Sequence, residues 1–387
     1  MMVVDAALTM LVLVLVVPIS GGLMAVTPYL MPKRECFAVT VPETAWQDEQ
    51  LRGFKRKFTS WCAVLTVVCT AVMACATAPV MGTPADSSSY GALVGALIGS
   101  TLAVTLIPFC FMLHFRKKVM ALKRERGWFA PRQEATALVV EEDVPHAISL
   151  AWNLLYVPVL LIIVAIGVVA YPGMPDMIPM HADFAGNVND YEPKSIGVVF
   201  GFPVLTVLFL MVCFIFSHWM MIRSKRPTNP GAPVTSALAY GMFARAQSIF
   251  LLVTGLLLSA GIGIGFMLSS AGVFGLGEMA LVIVLLSLFI VVGAVALSVG
   301  YGQAGSRLFS RMEAAGGETC LTMPADDDEH WKLGVFYFNP GDSSLWVCER
   351  FGVGWTMNFA RPAAWAFAVG FALVTVVFIV VITSLVG

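Results

Sequence analysis

The sequence predicts an all-α polytopic membrane protein: a bundle of eight transmembrane helices with a small β-hairpin cytoplasmic subdomain between helices 7 and 8. Three observations carry this. Hydrophobic residues make up 58% of the chain and charged ones 12%, against roughly 45–50% and about 25% in soluble domains. Eight apolar, charge-poor runs near the length a helix needs to cross a bilayer fall at 7–30, 59–80, 91–114, 147–170, 197–221, 246–269, 279–300 and 363–386. Of the 23 Lys and Arg residues, all but Lys194 lie in alternate gaps between those runs. Lys and Arg near a span end resist translocation, so the basic gaps are cytoplasmic and both termini lie outside.

Residues 1–146 form an N-terminal three-span region with basic cytoplasmic loops. The run from Ala6 to Pro32 is too long for a signal peptide and has only Asp5 ahead of it, so it reads as a retained span. In the first gap, Thr40-Val-Pro-Glu43 has the form of a capping box. Leu51, Phe54, Phe58 and Trp61 then recur at helical spacing opposite Arg52, Lys55, Arg56 and Lys57. That pattern predicts a basic amphipathic helix lying on the inner leaflet before turning into the second span. A second basic helix opens the third gap, from Arg116 to Arg126. Gly91, Gly95 and Gly99, and later Gly261 and Gly265, have the spacing that lets helix backbones approach closely in lipid; lining a permeation path is the functional alternative.

Residues 147–222 form a two-span unit with the outer loop 171–196. Pro172, Pro175 and Pro179 forbid a helix there and favour extended backbone, and Gly186-Asn187 supplies a tight turn. On an extended strand His181 and Asp183 share one face, an arrangement that suits a metal or acid–base pair. The plainer reading is that Asp183 and Asn187 bond their own backbone. Candidate ligand-binding residues in this loop are His181, Asp183, Asn187, Asp190 and Lys194.

Residues 223–312 hold spans six and seven, 313–362 a cytoplasmic aromatic hairpin domain, and 363–387 the last span. In the hairpin domain, the runs Val335–Phe338 and Leu345–Cys348 flank an Asn339-Pro-Gly-Asp342 turn and read as paired strands, with a third strand after them. Too small to hold a core, the hairpin should pack on membrane-proximal helices or another subunit. Trp331, Phe336, Tyr337, Trp355 and Asn358 are its candidate partner-docking residues. The acidic run Asp326–Glu329 reads as a solvated face, with divalent-cation binding as the alternative.

The chain's 24 Asp and Glu residues all fall in loops or at span ends, so the ionisable group a coupled transporter usually carries in its bundle is missing. Asn153, His114 and His218 near inner span ends read as interfacial. Neither HExxH nor GxSxG occurs, and Cys320 and Cys348 lack a CxxC or partner histidines. The expectation is a non-enzyme with no cofactor and no metal. Basic residues spread along membrane borders do not form a nucleic-acid face.

The string from Met174 to Ser195, with its Pro-Asp-x-Ile-Pro-x-His-x-x-Phe-x-Gly core, resembles a bacterial membrane domain of unknown function best known from SdpI-type immunity and signalling proteins. The string from Asp326 to Arg361 is similar to a second uncharacterised domain often joined to it. The resemblance rests there on Trp331, Gly334, Phe336-Tyr337, Asn339-Pro340, Arg350, Gly352, Gly354-Trp355 and Asn358-Phe359. It implies a multi-pass protein of the bacterial plasma membrane and carries over no catalytic residue. SdpI-type proteins are shorter and lack the aromatic domain. The implied function is a non-enzymatic sensor, immunity or signalling protein that binds an extracytoplasmic ligand such as a peptide and a cytoplasmic regulator. The alternative is a transporter or channel for a small solute, with helices unwound at Pro158, Pro203 or Gly261–Gly265. Contact with the lipid bilayer is expected, and a homo-oligomer is left open.

Overall fold

The computed structural model describes residues 2–82, 87–129, 144–182, 188–229, 231–316 and 326–386. The expected apolar runs coincide with helices. Among the described residues, seven helical segments are long and apolar enough to cross a membrane: Glu49–Val80, Ser89–Glu125, Leu150–Gly173, Gly197–Arg223, Pro233–Ser270, Leu276–Ala315 and Pro362–Ser384. We label the helices α1 (Met2–Leu30), α2 (Glu49–Gly82), α3 (Ser87–Glu125), α4 (Tyr156–Ala170), α5 (Phe202–Arg223), α6 (Pro233–Ser270), α7 (Leu276–Tyr301), α8 (Ser306–Gly316) and α9 (Pro362–Val386). The described apolar stretch of α1, Val14–Leu30, is shorter than a full crossing. The most apolar windows of α7 and α9 have 0% of their residues buried inside the protein. Apolar helix surface of that extent needs lipid around it. The chain is an integral membrane protein.

The helices form two groups. α1, α2 and α3 pack on one another, and α6 is the centre of a second group with α4, α5 and α7, while α9 leans on α5. In the membrane the groups meet through α1 and α7. Close approach follows glycine in places: a methyl at Gly21 would sit 2.1 Å from the Thr66 hydroxyl on α2, and one at Gly263 2.3 Å from Ile163 on α4. The ladder Gly91, Gly95 and Gly99 is different. It faces open space rather than another helix of this chain, so the expected packing role is not realised within it.

Several local expectations change. α2 runs unbroken from Glu49, so its basic stretch continues straight into the span and does not lie on the leaflet. Nothing between Leu51 and Trp61 breaks the hydrogen-bond ladder. Asp48 is the cap, accepting from the backbone N–H groups of Gln50 and Leu51 at 3.0 and 3.1 Å. Thr40 is no capping residue: it lies in a strand and bonds Asp328. Asn153 and His218 do not snorkel outward. They are 7% and 1% exposed, with the amide Nδ2 3.1 Å from His218 Nδ1 and the other ring nitrogen 3.0 Å from the Ile148 carbonyl.

Four two-stranded units complete the fold: β1 (Glu35–Cys36) with β2 (Val39–Thr40), β3 (Met177–Ala182) with β4 (Val188–Pro193), β5 (Trp331–Lys332) with β6 (Phe336–Tyr337), and β7 (Trp346–Cys348) with β8 (Trp355–Met357). Extended backbone over β3 and β4 is as expected. In the aromatic domain the pairing is not. The runs 335–338 and 345–348 do not pair with each other; each belongs to its own hairpin. The Asn339–Asp342 turn exists, with Asp342 N–H donating to Asn339 O at 3.3 Å. Asn358 lies where the expected cross-strand bonds would be, accepting from Asn339 N–H at 3.0 Å and donating to Asn339 O and Asp342 O at 2.9 and 3.0 Å. A side chain thus replaces a ladder. The β3–β4 hairpin sits at one end of the helices, and the other three units, with the basic loops, gather at the opposite end.

Candidate functional site

At the basic end the loops of both helix groups close on the aromatic domain as a clamp. Its first jaw is the β1–β2 turn, where Phe37 and Ala38 both have positive φ, 49° and 58°. Such backbone costs a non-glycine residue roughly 1–2 kcal/mol and persists where surroundings over-determine it. Here they do. Phe37 is 1% exposed, among the rings of Phe115 at 5.2 Å, Phe58 at 5.4 Å and Phe351 at 6.1 Å. The Ala38 carbonyl accepts from the Arg116 and Arg350 guanidinium groups.

Behind the turn lies an ionic cluster drawn from three gaps. Asp328 accepts from Thr40 N–H and Thr40 Oγ1, each at 3.0 Å, and from Lys123 Nζ at 2.6 Å. Arg350 donates to both Asp327 and Asp328 and lies 5.2 Å from the Trp331 ring centre. The acidic run is therefore solvated only in part: Glu329's side chain is 79% exposed, while Asp328's is 10% and Arg350's 7%. Burial alone would raise the Asp328 carboxyl, but Arg350 and Lys123 hold it below the usual range.

Glu35 is the cluster's odd member. One oxygen lies 4.0 Å from Arg350 Nε, and Oε2 is buried without a partner. Burial pushes this carboxyl up to about 7, with Arg350 opposing and Asp327 and Asp328 adding to the rise. A raised folded-state value means the fold favours the protonated form, so this contribution is full below pH 4.5, the group's ordinary value, and is lost as pH rises through about 7. Glu35→Gln is expected to flatten that part of a stability-against-pH curve in detergent; an unchanged slope between those limits would refute the assignment.

The second jaw comes from α5, α6 and α8. Lys225, two residues beyond α5, donates its N–H to Trp346 O at 2.8 Å and its ammonium to Asp342 at 2.7 Å. Against the pull of burial, Lys225, Ser344 and Tyr337 hold Asp342 down to about 2. Gln303 donates to Gly354 O at 2.7 Å and accepts from Gly354 N–H at 3.2 Å. Between the jaws opens a cavity of about 810 Å³, walled by 32–35, 225–229, 303–310 and the aromatic domain, with Glu35, Arg350, Glu349 and Trp331 on its surface. That volume is of small-ligand size.

The predicted site residues fall in two places. In the β3–β4 hairpin, His181 Nδ1 lies 2.6 Å from Asn189 Oδ1 and is exposed, as is Asp190. Lys194 is taken up within the hairpin's base, donating its ammonium to Met174 O at 2.9 Å and its N–H to Asp176 O at 2.8 Å. Asp183 and Asn187 lie outside the described residues, as does Cys320. In the clamp, Trp331, Tyr337 and Asn358 are 5%, 3% and 0% exposed, so their side chains hold the domain together. Trp355 is half-buried against Phe243 at 6.2 Å, and Phe336 alone of the five is well exposed. Sequence reasoning missed Glu35, Thr40, Lys123 and Gln303. The available signal was an acidic run in one gap facing basic residues in two others.

Residues 159–207 match a family described as Domain of unknown function (DUF1648). That stretch runs from α4 through the β3–β4 hairpin into α5. Residues 340–365 match one described as Family of unknown function (DUF5808), which takes in Arg350, Asn358 and the β7–β8 hairpin. No curated protein and no solved structure is similar to the chain. The matches agree with the domain pair that the resemblance implied and do not extend to SdpI-type immunity proteins: two segments of this integral membrane protein are similar to uncharacterised families.

Proposed function

We propose that the chain is a non-enzymatic sensor or signalling protein of the cell membrane, in which the β3–β4 hairpin meets an extracytoplasmic ligand and the clamp presents the response to a cytoplasmic regulator. The supporting observation is α5, which is anchored at both sites. Its start is a π-helical turn, Gly197–Gly201, whose Val198 and Val199 are buried in one cluster with Ile178 of the hairpin. Near its other end the Phe216 ring packs on Trp346, and just beyond it Lys225 N–H bonds the Trp346 carbonyl. Single π turns inside helices often mark functional sites. The cavity between the jaws leaves room for one helix group to shift against the other, and a ligand that binds two such states unequally shifts their balance. Coupling of this kind is typically worth about 1–3 kcal/mol.

The relay is tested without knowing the ligand. Ile178→Ala loosens the hairpin root, and hydrogen exchange at Trp346–Cys348 in the full-length protein is then expected to accelerate severalfold. Exchange that rises in the hairpin and stays unchanged in the clamp would refute it.

A second reading, a solute transporter or channel, draws on the buried hydroxyls of Tyr156, Thr254 and Ser259, which have no hydrogen-bond partner. Against it, α6 runs unbroken through Gly261–Gly265 and α4 through Pro158. Solute flux in proteoliposomes that Tyr156→Phe abolishes would favour this reading over the sensor.

A further inference from the structure

The aromatic domain carries apolar side chains on its outer face. Along β6 and the residue after it, Tyr337 points inward at 3% exposure while Phe336 and Phe338 point outward at 47% and 46%. Leu333, in the tight turn before β6, is 54% exposed. This is the reverse of a water-facing hairpin, where the outward positions are polar. From Phe336 the rings continue without a break. Phe359 lies 5.8 Å away, edge to face, and Trp365 a further 5.6 Å beyond it. Trp365 lies in the first turn of α9, is 58% exposed, and donates its indole N–H to Phe359 O at 3.1 Å. The same α9 is the spanning helix whose most apolar window has no residue buried inside the protein. An apolar row thus runs from a lipid-facing helix directly onto the domain.

We propose that Leu333, Phe336, Phe338, Phe359 and Trp365 form an aromatic foot that sits in the headgroup layer of the leaflet at the basic end, tying the clamp to the bilayer surface. Continuity with the lipid-facing side of α9 selects lipid as the occupant. A bilayer is about 40–45 Å thick around a hydrocarbon core of about 30 Å, which leaves each headgroup layer several ångströms deep, comparable to one ring-to-ring step here. Aromatic rings favour that layer. Lys332, exposed and directly opposite Phe336 in the β5–β6 register, carries the ammonium that would meet anionic headgroups. Membrane composition at that leaflet would then bear on the clamp through Trp331 and Tyr337, which share these strands.

The test uses the full-length protein in vesicles of phosphatidylcholine with a minority of phosphatidylglycerol. An environment-sensitive fluorophore is attached at Phe338→Cys, a position with exposed surface, and the signal of the identically treated unsubstituted protein is subtracted. Glu329→Cys, whose parent side chain is 79% exposed, serves as the aqueous reference. Lipids with a nitroxide near the headgroup are expected to quench the label at 338 severalfold more than aqueous iodide does, and the reference label the other way round. Adding Phe336→Glu should move the 338 label toward the reference pattern. Strong iodide quenching at 338 with no lipid quenching would overturn the proposal. So would protection from both quenchers that disappears when the protein is diluted in lipid, because that result assigns the face to a second copy of the chain.

Discussion

Arg350→Ala is expected to destabilise the protein by about 3–5 kcal/mol, the range for removing one partner of a buried ion pair. Its guanidinium bonds Asp327 and Asp328, lies 4.0 Å from Glu35, and covers the Trp331 ring. Removal leaves three carboxyl groups, with Lys123 bonded to Asp328 and the Arg116 charge near it as the remaining compensation. Arg350→Lys should recover part of the loss and not all of it, since an ammonium cannot fork between two carboxylates. The pH dependence gives an independent check. Asp328 is held below its ordinary value in the fold, so its stabilisation is present above roughly pH 4 and fades as pH falls further. The deficit of the Ala variant, measured by thermal unfolding in detergent, should therefore be full at neutral pH and shrink in acid. An equal deficit at every pH would mean that lost packing rather than charge pairing carries the effect.

Asn358→Ala should cost about 3 kcal/mol, because it strands buried polar groups that each cost about 1–3 kcal/mol when unpaired. The side chain is 0% exposed. It accepts from Asn339 N–H and Ala360 N–H and donates to two carbonyls. Asn358→Asp is the informative partner. It keeps the acceptor and the shape but faces the Asn339 and Asp342 carbonyls with a carboxylate. It should be at least as damaging as Ala near neutral pH and recover in acid, where protonation restores a donor. Hydrogen exchange confined to 337–342 reads both variants. If Asn358→Ala left exchange there unaltered, the claim that one amide replaces the expected strand ladder would fall.

How much of this was legible in the chain varies with the range of the interaction. Placing α2 to α7 and α9 needed only runs of apolar residues. The extended backbone of β3 and β4 followed from the prolines of the loop 171–196. Strand pairing was misread because β5 to β8 are two or three residues long. At that length alternation carries no register, and the turn at Leu333–Gly334, with φ of 52° and 77°, together with Asn358 decides it. The candidate site was half visible. The acidic run and Arg350 stood out as residue types, but nothing local said that they would neutralise each other.

Membrane residence and the division of the polar segments into two sets follow from composition alone, because lipid asks only for an apolar run of sufficient length and loop charge acts close to its own span. The clamp needed three dimensions. Asp328 meets Thr40 across 288 residues and Lys123 across 205, and burial makes such partners mutually necessary only once folding has brought them together. The same holds for the Gly91–Gly99 ladder, whose spacing permits a close helix contact while the packing of α3 turns it away from one.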